Sequence, residues 1–304
     1  MKLSVVLSVY NEEKNIKECL ESVLDLADEI VVVDHESVDN TLEIARKYTK
    51  HVFTQKNDSL HIDQQKNFGF GKATGDWIVS LDADERVTPL LALEIKDVIA
   101  NGESLASGYE IPRKNIIFGK WIEHSLWWPD YQLRLFQRGS GEYKDQTVHK
   151  QIHLDGTLGK LKEPLLHENY QSISQYLKKM DQYTENEAKA LAEKNTHMFW
   201  TDAIRMPVRD FLKTFFFQLG YKDGLHGLVL SSLQAFYTFL VFAKVWEKQG
   251  FKEENNHDFL TSVYKEWMVL QKEIAYWFFS AFITLTKNPL QKVKLKLLRK
   301  KVSR

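Results

Sequence analysis

The sequence predicts an α/β chain: a mostly parallel sheet flanked by helices, followed by a helical C-terminal region. Three observations carry this. Near-continuous apolar runs such as Leu3–Val9 and Trp77–Leu81 have the composition of strands buried on both faces. Over residues 3–100 these runs alternate with helical patterns across short loops, as strand–helix–strand units do. Beyond Pro207 the composition changes to Phe- and Leu-rich stretches of helical length and then to a basic tail.

In chain order, Leu3–Val9 ends at Tyr10-Asn11-Glu12-Glu13, and residues 15–26 carry apolar positions Ile16, Leu20, Val23 and Leu24 on one helical face. Residues 29–33 form a second strand ending in Asp34-His35-Glu36-Ser37. Ser37 or Asp39 can cap the helix that holds Leu42, Ile44 and Ala45. His51–Thr54 is a short strand, residues 63–73 a helix closed by Gly75, and Trp77–Leu81 the next strand. Thr88-Pro89 starts a helix over residues 90–100, the proline in its first turn. From residue 108 the style changes. Residues 109–113, 131–137 and 148–154 read as strands between aromatic and Gly-rich loops, and residues 171–192 as a polar helix. The expected division is a catalytic domain over 1–170, its acceptor side beginning near residue 108, and a helical, basic region over 171–304 that associates with a membrane or with a second copy.

Charge and cysteine content bound the function classes. There are 41 basic and 41 acidic residues, so bulk charge gives no support to nucleic-acid binding. The single cysteine, Cys19, permits no internal disulfide and fits a reducing compartment. The apolar run at the start is short and meets Asn11, Glu12 and Glu13 at once, so it reads as a buried strand and the chain as cytoplasmic.

Residues 76–85, DWIVSLDADE, organise the rest. An apolar strand delivers Asp82, Asp84 and Glu85 onto the loop at its carboxyl end, and carboxylates two positions apart can share a hard cation. In parallel sheets ligands bind beyond the carboxyl ends of the strands. Three polar clusters fall there, at residues 10–13, 34–40 and 82–85. Residues 120–131, KWIEHSLWWPDY, hold three Trp, a His and an Asp. Such aromatic density forms either a core corner or a stacking platform for a sugar or acceptor, with Trp127 and Trp128 at its centre.

Toward the C-terminus, residues 227–243 are apolar and uncharged but only seventeen long and diluted by Ser231, Ser232, Gln234 and Thr238. They read as a helix lying in a membrane interface or buried in a helical appendage rather than as a span. Residues 274–285 are apolar and aromatic, and from Lys287 onward there are eight Lys or Arg and no acid. Basic groups beside apolar aromatic helices suit an anionic leaflet.

The motifs together resemble a known family. Ser8-Val9-Tyr10-Asn11-Glu12-Glu13, then Val33-Asp34-His35-Glu36-Ser37 with Asp39 and Thr41, then Gln65-Lys66-Asn67 and Leu81-Asp82-Ala83-Asp84-Glu85, are similar to family 2 glycosyltransferases of the GT-A fold. Trp128-Pro129-Asp130-Tyr131-Gln132-Leu133-Arg134-Leu135-Phe136, Val148-His149 and His167 resemble the subgroup that includes bacterial lipopolysaccharide-core glucosyltransferases. The family's Val-His pair is usually followed by Glu, where this chain has Lys150.

The resemblance implies inverting transfer of a sugar from a nucleotide diphosphate donor, a UDP-sugar being the first expectation, with Mn²⁺ or Mg²⁺ offsetting charge on the leaving diphosphate. It implies Asp84 as metal ligand, Asp82 toward the ribose or a metal water, and His167 completing the metal shell. Asp34 matches the acid that accepts from the nucleotide base, with Tyr10 and Glu12 beside it. Lys66 can pair with phosphate as a point charge. Arg134 either binds the diphosphate or forms a structural ion pair. Inversion needs a general base opposite the leaving group; Asp130 is the candidate and Asp145 the reserve. His35, Gly69 and Gly71 are read as local structure. The expected acceptor is a glycolipid or polysaccharide, met at the inner face of the cytoplasmic membrane.

Other classes fit less well. A dinucleotide-dependent oxidoreductase or a nucleotidyltransferase would need a Gly-rich turn after the first strand, where this chain has Tyr-Asn-Glu-Glu. A polyprenyl-phosphate sugar synthase remains an alternative within the enzyme class. A non-catalytic membrane-surface module on the same fold is the alternative outside it.

Overall fold

The computed structural model describes residues 1–58, 62–100, 106–144, 151–194, 196–253 and 258–303. It divides into two compact units, residues 1–121 with 127–171, and residues 122–126 with 172–304.

The first unit runs β1 (Leu3–Val9), α1 (Ile16–Glu21), β2 (Glu29–Asp34), α2 (Thr41–Ala45), β3 (His51–Thr54), α3 (Ile62–Lys72), β4 (Trp77–Leu81), β5 (Glu85–Val87) and α4 (Pro89–Ala100). It continues through β6 (Gly108–Ile117), β7 (Lys120–Trp121), β8 (Asp130–Gln137), β9 (Gly141–Tyr143), β10 (Ile152–Leu154), β11 (Leu158–Lys160) and β12 (Leu165–Tyr170). The main sheet has the order β3-β2-β1-β4-β8-β6-β12-β5, with β7 and β11 also on β6; β9 and β10 form a separate pair. Pairing is parallel from β3 to β4, as the alternating pattern predicts, and antiparallel where β8 joins β4 and β6. The β-branched runs are buried on both faces. Leu3, Val5 and Leu7 pack with Ile16, Leu20 and Leu91 on one side, Val6, Val31 and Val33 with Phe70 and Phe136 on the other. A Cβ at Gly69 of α3 would sit 2.7 Å from the Val6 Cγ1, so glycine there lets the helix lie against the sheet.

Two expectations change in detail. The helix expected over 15–26 stops at Glu21, because the Ser22 hydroxyl donates to the Cys19 carbonyl and offers the backbone a local alternative. The short strand β5 and the site-bearing strand β12 have weak periodicity and emerge only through pairing.

β5 explains how the site is assembled. Only Asp82, Ala83 and Asp84 separate β4 from β5, about 14 Å of extended chain between Leu81 and Glu85. In the sheet order, however, β5 lies four strands from β4, which would be about 19 Å across a flat sheet. The sheet therefore curls, bringing the carboxyl end of β4 against β12. Register then aligns the side chains: His167 pairs with Glu85 on one side and with Asn115 on the other, and Arg113 pairs with Asp130. A bulge leaves Arg134 as the extra residue of β8 opposite the step from Tyr109 to Glu110.

The second unit is helical: α5 (Ile173–Glu193), α6 (Asp202–Leu212), a π-helical turn (Lys213–Phe217), a 3₁₀ turn (Gly220–Asp223), α7 (Leu225–Lys248), α8 (Phe259–Leu285) and α9 (Pro289–Val302). The α6 and α8 helices are joined by Arg205–Glu266 and by Arg209–Glu273 at 2.7 Å. Asp223 accepts the backbone N–H groups of Glu123 and His124, which ties residues 122–126 to this unit. Among the described residues α7 is the one helix long and apolar enough to cross a membrane, and only 22% of its most apolar window is buried. The basic tail forms α9, capped by Asn288 with Pro289 in its first turn.

Candidate active site

At the end of β2, Asp34 is 1% exposed. Its Oδ2 accepts from the Ser37 backbone N–H at 3.2 Å, while its buried Oδ1 has no hydrogen-bond partner. Next to it, His35 Nε2 meets Ser8 Oγ at 2.5 Å, and its buried Nδ1 is likewise unpartnered. Burial holds the His35 imidazole below its usual range, Asp34 opposing and Lys66 adding to the effect. Tyr10 is 47% exposed on the neighbouring loop. The Glu12 backbone N–H donates to Thr41 Oγ1, and its carboxylate accepts from Asn15.

From the β4 loop a file of alternating charges runs through the unit. Lys66 Nζ reaches Asp82 Oδ1 at 2.5 Å, and Arg134 Nη2 reaches Asp82 Oδ2 at 2.5 Å and Glu85 Oε1 at 2.7 Å. Arg113 lies 3.6 Å from the same Glu85 oxygen and 2.6 Å from Asp130 Oδ2. Glu85 is fully buried and its other oxygen accepts from the Asp82 backbone N–H, fixing the loop's shape. Burial alone would raise the Asp82 carboxyl, but Arg134 and Lys66 outweigh it and hold it well below the usual carboxylate range. Burial works against the Lys66 ammonium and the Arg134 guanidinium too, but Asp82, joined at Arg134 by Glu85, leads the influences that leave both raised.

This file bears on several of the expected roles. Both Asp82 oxygens are spent on two cations, which disfavours the expected sharing of a metal with Asp84. Lys66 and Arg134 are engaged with carboxylates, so the ion-pair alternative for Arg134 describes the observed arrangement. Asp130 does not have the surroundings expected of a proton acceptor. Its Oδ2 accepts from Arg113 Nε and Nη2 and from Asn115 Nδ2, and its Oδ1 from Gln132 Nε2. Burial would raise its carboxyl, but Arg113, Gln132 and Asn115 outweigh that and lower it. The reserve base Asp145, with Val148, His149 and Lys150, lies outside the described residues.

Asp84 and His167 do come together. Asp84 Oδ2 lies 3.5 Å from His167 Nε2, and the Asp84 carbonyl accepts from the Glu168 backbone N–H. Two ligands each about 2.1 Å from one ion can bridge that gap. Among the described residues no group of three or more His, Cys, Asp or Glu side chains could hold a metal. Two protein donors still suit Mg²⁺ or Mn²⁺ when substrate phosphates complete the shell, so the pair fits such a cation.

Trp127 and Trp128 are half-buried. Trp127 packs edge-on to Tyr170, and Trp128 edge-on to Trp121, over which Lys114 sits at 4.2 Å. The arrangement also brings in Arg113, Asn115 and Gln132, which the sequence motifs did not single out as site residues. Asn115 carried one signal, an amide inside an otherwise strand-like isoleucine stretch, where Asn is depleted.

Residues 4–171 match the family model described as Glycosyl transferase family 2. The chain is similar to the lipopolysaccharide core biosynthesis glycosyltransferase LpsC of Rhizobium meliloti, 26% identical over 263 residues that cover 85% of this chain and 97% of that protein. It is similar to the dolichol-phosphate mannosyltransferase of Pyrococcus furiosus, 31% identical over 148 residues, 46% of this chain and 39% of that protein. Among solved structures it resembles S. aureus TarS in complex with UDP-GlcNAc, at 16% identity and a TM-score of 0.47, covering 82% of this chain and 92% of that one. The matched region takes in every element of the α/β unit, from β1 to β12, and the chain belongs to glycosyl transferase family 2.

Proposed function

We propose that this glycosyltransferase moves a sugar, with inversion, from a nucleotide diphosphate donor to a hydroxyl of a lipid-linked or membrane-associated glycan of the cell envelope. The observation that carries the donor side is the buried, unpartnered Asp34 Oδ1 at the carboxyl end of β2. A buried acceptor without a donor costs stability, and an N–H of a nucleotide base would satisfy it. Tyr10 lies on the adjoining loop with a ring free to stack. A UDP-sugar is the donor we favour.

Asp84 and His167 would hold the divalent cation, and a bound Mn²⁺ or Mg²⁺ supplies Lewis-acid stabilisation of the leaving diphosphate. Lys66 and Arg134 keep Asp82 ionised and fixed, so the loop that carries Asp84 is rigid before the donor arrives. In the same arrangement Asp130 orients Arg113 rather than accepting the acceptor's proton, and Asp145 becomes the favoured base.

The similarity to LpsC over nearly the whole of both chains supports a lipopolysaccharide-core acceptor. The similarity to a dolichol-phosphate mannosyltransferase favours a second reading, a polyprenyl-phosphate acceptor. For the membrane, α9 carries Leu290, Val293 and Leu297 exposed at 83%, 56% and 60% amid its lysines, the pattern of a helix lying on an anionic surface. We place the protein at the cytoplasmic face of the membrane on that basis; self-association through the same helices is the competing use.

A thermal-shift screen of UDP-, GDP- and TDP-sugars with Mn²⁺, followed by transfer of label into lipid extracts, tests the proposal. A donor at about 100 times its Kd stabilises the fold by about 2.7 kcal/mol. No shift with any donor, and no transfer or hydrolysis, would overturn the reading.

A further inference from the structure

Asn115 is fully buried on β6, in register with His167 on β12. Its amide has a fixed orientation. Nδ2 donates to the Trp127 carbonyl at 2.9 Å and to Asp130 Oδ2 at 3.2 Å, and both of those oxygens can only accept. Oδ1 faces the Asn169 Nδ2 group, a pure donor, at 3.4 Å and His167 Nδ1 at 2.6 Å. Flipping the amide would set acceptor against acceptor at Trp127 and Asp130 and donor against donor at Asn169. Oδ1 must therefore accept from His167, and Nδ1 must carry the proton.

In a neutral imidazole only one nitrogen is protonated, so Nε2 is left with a lone pair. That lone pair points toward Asp84 Oδ2, 3.5 Å away, which is itself an acceptor. Two lone-pair donors facing each other are poorly matched in the absence of a cation and well matched around one. A hydrogen bond to the far ring nitrogen is the usual device by which a protein presets a histidine ligand.

We infer that Asn115 is a positioning residue that fixes His167 as the Nδ1–H tautomer and thereby presents Nε2, with Asp84, as a preset cation-binding pair. The same amide ties this pair to Asp130 and, through Arg113, to Glu85. The inference rests on the metal reading of the proposed function for its purpose, though the placement of the proton does not depend on it.

The test uses the full-length, metal-free protein with ¹⁵N-labelled histidine at about pH 8, where an ordinary imidazole is neutral. The His167 resonances are assigned by their loss in His167→Gln, and the tautomer is read from the ring nitrogen shifts. Mn²⁺ alone is then titrated and followed by electron paramagnetic resonance. The wild type should show the Nδ1–H form. Asn115→Leu, which removes the acceptor, should lose that preference and weaken Mn²⁺ binding about 10- to 100-fold. An Nε2–H tautomer in the wild type, or an Asn115→Leu protein with the wild-type tautomer and Mn²⁺ affinity, would overturn the inference. If the tautomers behave as stated and the wild type takes up no Mn²⁺, the metal reading falls and the proton placement by Asn115 stands.

Discussion

Asp84 and His167 face each other across 3.5 Å, one on the loop after β4 and the other on β12. Two strands of the curled sheet thus contribute one donor atom each, without any local sequence motif joining them. Asp84→Ala should reduce sugar transfer by at least 100-fold while the far-ultraviolet circular dichroism stays that of the wild type, since Asp84 lies on the loop between β4 and β5 rather than within a strand. His167→Ala should weaken Mn²⁺ binding as well. Retention of full activity in Asp84→Ala would remove the metal site from this position.

The base can be located by a pair of substitutions. General-base removal costs about 10²- to 10⁴-fold in rate. Asp145→Asn should fall in that range with little change in donor KM. Asp130→Asn should act mainly on stability, because it leaves the Arg113 guanidinium short of a carboxylate inside the sheet. A kcat loss confined to Asp130→Asn, with Asp145→Asn fully active, would restore the sequence-based assignment.

Acid should unlock the charge file. Asp82 and Asp130 both have folded-state carboxyl values held below the unfolded value near 3.9. Their stabilisation is therefore fully present above about pH 4 and is lost as pH falls through the lower, folded values. Asp82→Asn leaves the buried Lys66 and Arg134 without their shared partner and should cost up to about 3 kcal/mol at pH 7. The gap between wild type and variant in urea denaturation should narrow as pH drops from 4 to 2. A gap independent of pH would mean that shape, not charge, accounts for the loss.

Helix α9 offers a separate measurement. Removing residues 287–304 should release the protein from vesicles containing anionic lipid and leave it indifferent to neutral ones, with wild-type binding weakening as salt rises. Unchanged sedimentation of the truncated protein with anionic vesicles would exclude α9 as the contact.

The sequence by itself determined the parallel half of the sheet and the loop ends beside it. Leu3–Val9, Glu29–Asp34 and Trp77–Leu81 announce themselves because strands buried on both faces need unbroken apolar runs, and Asp34, Asp82 and Asp84 follow at their carboxyl ends. It also marked His167 and Asp130 through a resemblance, without saying what either touches. Only the tertiary structure decided those contacts, because they depend on strand register and on the curl that lets three residues carry the chain from β4 to β5. A shift of one residue in β12 would have turned His167 to the opposite face, away from Asn115. Periodicity within one strand is blind to that choice. For the same reason Asp82 and Asp84, two positions apart and alike in sequence, part company in the fold: one is consumed by Lys66 and Arg134, and the other is set against the imidazole of His167.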